Sequence, residues 1–135
     1  GRVARNPRGR EMGTIAVELN EHGRHDRLFQ RIPPRFHAHA THRDTVLEAP
    51  PGAAVLATSH QDGCQSFRVG RRAWGVQFHP ESTAPILRGY VRARRHVLRD
   101  EGNDPDAIHA SIRDEVEGAQ VLGNFFDTVF GDAKP

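Results

Sequence analysis

The chain has 135 residues, 36% of them hydrophobic, with a net charge of +2, enough for one ordinary domain with a core of its own. A single cysteine rules out an internal disulfide framework, and no apolar run approaches the ~20 residues of a membrane span. Lys134 is the only lysine among 19 cationic residues and the arginines are spread along the chain, so neither a nucleic-acid nor a membrane partner is expected, and the expected location is the cytoplasm.

Gly1 to Arg10 is basic and has no apolar period, and reads as irregular. Thr14 to Leu19 alternates cleanly and predicts a strand. Asp26 is placed to cap a short helical turn carrying Leu28 and Phe29, which Pro33 and Pro34 end. Arg35 to Thr41 alternates Phe36, Ala38 and Ala40 against His37, His39 and Thr41, a second strand with a histidine-bearing face. Ala53–Ser59, Cys64–Val69 and Ala73–Phe78, separated by turn residues, predict an antiparallel meander. Beyond it, Ser82 or Thr83 caps a helix that the apolar spacing carries as far as Gly102. Asp104-Pro105 starts another through Ile108, Ile112 and Val116, and Val121 to Phe130 form a last apolar stripe. Residues 131–135 read as a frayed tail.

One stretch sets up chemistry. In Trp74-Gly75-Val76-Gln77-Phe78-His79-Pro80-Glu81 an apolar strand stops at a histidine, a proline and a carboxylate. Pro80 lacks an N–H and holds His79 extended. Glu81 can then reach back to one ring nitrogen, fixing the tautomer and leaving the other nitrogen free to take a proton. The plain alternative is a strand followed by a turn, with a half-exposed histidine and a solvated glutamate.

This string resembles the histidine and glutamate motif of class I glutamine amidotransferases. Gly9-Arg10-Glu11-Met12-Gly13, Asp26-Arg27-Leu28-Phe29, Thr41 to Val46, Pro51 to Ala57 and Gln65-x-Phe67 follow in that family's order. The resemblance runs from about Gly9 to Phe126 and is strongest toward the amidotransferase part of GMP synthase. It implies an α/β fold: the C-terminal half of a flavodoxin-like amidotransferase domain, a mixed sheet with an antiparallel meander and flanking helices. It also implies hydrolysis of glutamine to glutamate and ammonia, with His79 as general base, Glu81 orienting it, and His42 and Asp44 as neighbours of the substrate.

The family's nucleophilic cysteine sits in a Gly-x-Cys-x-Gly turn that this sequence lacks. The expectation is therefore a partial domain over residues 1–135, inactive alone, whose missing N-terminal half brings the nucleophile and whose ammonia goes to a synthase domain or subunit. Cys64 follows a turn and opens a strand, which is no place to form a thiolate, so it is expected to be structural. No cofactor is implied. His37, His39, His42 and Asp44 raise the question of zinc, but no Cys pair accompanies them and no metal ligand is assigned. Two other functions stay open: a non-catalytic amidotransferase-like interaction module and a histidine-rich metal-binding domain.

Overall fold

The computed structural model describes residues 1–114 and 116–131. Seven strands come first and the long helices last: β1 (Arg2–Arg5), β2 (Glu11–Leu19), α1 (Glu21–Arg24), a 3-10 turn (Arg27–Phe29), β3 (Arg35–His42), β4 (Asp44–Glu48), β5 (Ala53–Ser59), β6 (Ser66–Val69), β7 (Ala73–Val76), α2 (Ala84–Ala93), α3 (Arg95–Asp100), α4 (Pro105–Ser111), a second 3-10 turn (Glu117–Ala119) and α5 (Gln120–Phe130). This is the expected α/β class. No helix among the described residues is long and apolar enough to cross a membrane.

The main sheet has the order β3-β2-β5-β6-β7, and β1 pairs with β4 in a separate ribbon. A mixed sheet was expected, but every pair among the described residues is antiparallel. The meander accounts for two of these pairings, because β5, β6 and β7 are joined by connections too short for a parallel crossover. Gly70 makes the β6–β7 turn at φ +58°, where a side chain would be strained.

β2 and β3 separate two apolar clusters. Val17, Leu19, Phe36 and Ala38 join Leu28, Phe29, Leu56, Phe78 and Val121 in the larger one, and Ile15 packs against it. Met12 packs instead against Leu87, Val91, Leu98 and Ile112 beneath α2, α3 and α4. Alternate residues of one strand thus serve opposite faces. The sheet is curled: β3 and β7 are its two edges, yet the chain just after β7 comes back to β3, where the His79 N–H donates to the His39 carbonyl at 2.7 Å.

Several boundaries differ from the expectation. β1 forms in the basic N-terminal stretch because β4 offers it a partner, with Val3 opposite Val46. The helix expected to reach Gly102 breaks at Arg94, whose φ of −109° and ψ of 15° reset the chain between α2 and α3. α4 ends at Ser111 rather than continuing to Val116. Ile112 is extended and buried in the smaller cluster, its carbonyl accepts from Arg88 at 2.9 Å, and the Arg113 N–H donates to the Thr14 hydroxyl at 3.0 Å. Of the expected tail, residues 132–135 lie outside the described residues, while the Gly131 N–H still donates to the Asp127 carbonyl at 2.9 Å.

Candidate active site

The segment carrying His79 is held by its backbone and by one buried ring. β7 stops at Val76, short of the expected Phe78, but the Gln77 N–H still donates to the Gln65 carbonyl at 2.9 Å and the Gln77 side-chain amide to the Cys64 carbonyl at 2.7 Å. Phe78 is 2% exposed and meets Phe36 edge to face, centroids 5.8 Å apart. Gly75 is required upstream, since a Cβ there would lie 2.7 Å from the Phe67 ring. The His79 N–H is taken by His39 and its carbonyl accepts from the Ser82 N–H at 3.2 Å. With these bonds on either side, the imidazole has little freedom except rotation about its own side chain.

His79 Nδ1 lies 2.8 Å from Glu81 Oε1. Both side chains remain accessible, at 41% and 62% exposure. Burial works to raise the Glu81 carboxyl, but the hydrogen bond and charge of His79 outweigh it and hold the group below its ordinary 4.5. With Nδ1–H donating to that carboxylate, Nε2 is left as a proton acceptor. The structure therefore brings together the pair that sequence reasoning singled out.

His42 lies elsewhere on the curl, in a buried polar cluster that the sequence did not reveal. Its Nε2 is 3.0 Å from Glu11 Oε2, and its Nδ1 is 3.0 Å from the Asp44 carbonyl and 3.9 Å from Asp62 Oδ2. Gln65 donates to the same Glu11 oxygen, and the Ser59 hydroxyl donates to Glu11 Oε1 at 2.6 Å. Burial works to lower the His42 imidazole, yet the bond to Glu11, the Asp44 carbonyl and the charges of Glu11 and Asp62 together raise it above 6.5. Asp44 meets His42 through its backbone, so its expected place beside a substrate gains no side-chain contact here. The signal for this cluster is register: Glu11 is directly opposite His42 across β2 and β3, a pairing no local pattern encodes.

Glu11, His42 and Asp62 each offer a ligand atom within 4.8 Å of the others, the one such group among the described residues. They could hold a cation, but the atoms are already engaged with one another and with Gln65, Ser59 and Cys64. His37 and His39 do not converge. His39 is buried, with Nδ1 3.2 Å from the Thr14 hydroxyl, while the His37 ring lies against the Arg113 guanidinium at 2.8 Å. Cys64 is 3% exposed; burial, then the nearby Asp62 charge, pushes its thiol up to about 11. That is the environment of an inert thiol.

The family model for class-I glutamine amidotransferases matches residues 1–88. Among curated relatives, GMP synthase [glutamine-hydrolyzing] of Thermotoga petrophila is 36% identical over 81 residues, 60% of this chain and 15% of that protein. A GMP synthase subunit of Methanocaldococcus jannaschii, likewise named as glutamine-hydrolyzing, is 42% identical over 40% of this chain and 29% of its own length. The imidazole glycerol phosphate synthase subunit HisH of Symbiobacterium thermophilum is 38% identical over 62% of this chain and 40% of its own. The crystal structure of a glutamine amidotransferase from Thermotoga maritima superposes with a TM-score of 0.70 at 25% identity, covering 99% of this chain and 55% of that one. The chain thus spans about half of that solved structure and less of the curated relatives. It belongs to the class-I glutamine amidotransferase family.

Proposed function

We propose that this chain supplies the base half of a glutamine-hydrolysing site, in which His79 deprotonates a cysteine carried by a segment outside residues 1–135 and Glu81 holds the imidazole in the receptive tautomer. The observation that carries this is the 2.8 Å contact between His79 Nδ1 and Glu81 Oε1 on a backbone pinned to β3. A thiolate so formed attacks the glutamine side-chain amide, ammonia leaves, and water releases glutamate from the thioester. The relatives that bear on this are named as glutamine-hydrolysing GMP synthases and a synthase subunit. The ammonia accordingly goes to a synthase domain or partner subunit, in the cytoplasm. His42 and Asp44 lie near the glutamine on this reading, with His42 acting through the buried cluster.

Ammonia release from glutamine tests the reading, measured on the longest natural polypeptide containing this sequence and on residues 1–135 alone. The short chain is expected to be inactive. In the longer one His79→Asn is expected to lower kcat about 10²- to 10⁴-fold, Glu81→Gln less, and Cys64→Ala to leave it unchanged. Full activity in His79→Asn, or turnover abolished by Cys64→Ala, sinks the proposal. An inactive but folded longer polypeptide points instead to an interaction module.

A further inference from the structure

A cleft of about 710 Å³ opens between the first 3-10 turn, the β6–β7 hairpin and α5, lined by His25, Asp26, Arg27, Arg68, Arg71, Arg72, Trp74 and Thr128. Neither His79 nor Glu81 lines it. Four arginines and one carboxylate line it, and that carboxylate is already committed. Asp26 is 8% exposed. Its Oδ1 accepts from the Leu28 N–H at 3.0 Å and from the Trp74 indole N–H at 2.9 Å, and its Oδ2 accepts from Arg68 Nε at 2.7 Å. Arg68 also donates to the Gly70 carbonyl in the hairpin turn.

Asp26 thus neutralises Arg68 and fixes the indole, giving the cleft an ordered floor. Arg27, Arg71 and Arg72 are exposed, line the same cleft and have no carboxylate partner among the described residues. Guanidinium forks match phosphate oxygens in pairs, and several of them suit several phosphates. The volume lies within the roughly 300–1,000 Å³ of ligand pockets and far exceeds what one phosphate would fill.

We propose that this cleft binds a condensed phosphate, either free or as the phosphate chain of a nucleotide, with Arg27, Arg71 and Arg72 on the oxygens and Trp74 beside them. Trp74 lines the cleft and is the only tryptophan of the 135 residues, so in a polypeptide of residues 1–135 its fluorescence reports on this site. The purified protein is titrated with inorganic tripolyphosphate and with ATP at about 0.15 M salt, followed by fluorescence and in parallel by calorimetry. Saturable binding is expected, weakened roughly tenfold or more in Arg71→Gln/Arg72→Gln. Arg92→Gln, on α2 and away from the cleft, serves as the charge control and is expected to bind as the parent does. Tighter binding of ATP identifies a nucleotide; equal binding identifies the phosphates alone. No saturable signal or heat from either compound up to about 5 mM, or equal weakening by Arg92→Gln, overturns the proposal.

Discussion

His42 has an acceptor at each ring nitrogen, the Glu11 carboxylate on one side and the Asp44 carbonyl on the other, an arrangement that favours the imidazolium. Its value is raised above 6.5 in the folded state, so the stabilisation is fully present below 6.5 and is lost as pH rises through the raised value. His42→Gln is therefore expected to cost roughly 1.5–3 kcal/mol at about pH 6 and clearly less at about pH 9, read from urea melts. An equal cost at both pH values refutes the charged state. His39 has the opposite sign, since burial and then Arg88 lower it; what it contributes is present above 6.5 and fades as pH falls. Cys64 provides a further check. A thiol at about 11 rather than 9.0 holds roughly a hundredfold less thiolate. Alkylation by iodoacetamide at about pH 8 should be slower than for free cysteine by that factor, and should recover in urea. His79 and Glu81 were legible in the sequence because their contact is local, two residues apart across a proline. The Glu11, His42, Asp62 and Gln65 cluster was not, because strand register brings Glu11 to His42 and the β5–β6 connection, distant in sequence from both, adds Asp62 and Gln65.

Among the elements, Asp26 and Asp104 marked helical starts that the structure keeps, whereas the Asn20 cap of α1 was not read in advance. Asp104 accepts from the Asp106 and Ala107 N–H groups, at 2.9 and 3.2 Å, and starts α4 with Pro105 behind it. Asp104→Ala is expected to cost about 1 kcal/mol. Asp26 caps the 3-10 turn and also holds Arg68 and Trp74, so Asp26→Ala should cost more, about 2 kcal/mol or above. A change in the Trp74 emission of the folded Asp26→Ala protein would accompany it, and an unaltered spectrum with a loss below that of Asp104→Ala counts against the linkage. Element ends set by tertiary contact were not readable. α4 stops because Ile112 and Arg113 are drawn to Arg88 and Thr14, and β1 exists because β4 lies beside it. Both depend on residues far along the chain, which propensity does not see.

At the scale of the molecule, the curl that returns His79 to β3 covers one face of the sheet, but part of the helical layer stays open. Phe126 and Phe130 are 50% and 60% exposed and stack with centroids 6.0 Å apart on α5, with Val129 beside them at 44%. The sequence marked Val121 to Phe130 as an apolar stripe. Only Val121 and Asn124 of α5 are fully buried, the latter because its amide donates to the Leu28 and Gln30 carbonyls. Stacked phenylalanines facing water favour association. A polypeptide of residues 1–135 is therefore expected to self-associate with rising concentration in sedimentation equilibrium. Phe126→Glu/Phe130→Glu should return it to a monomer while leaving Tm within a few degrees, because neither ring belongs to either buried cluster. A parent protein that stays monomeric to about 100 μM, or a double variant that unfolds, would mean that the C-terminal face is covered from within the chain.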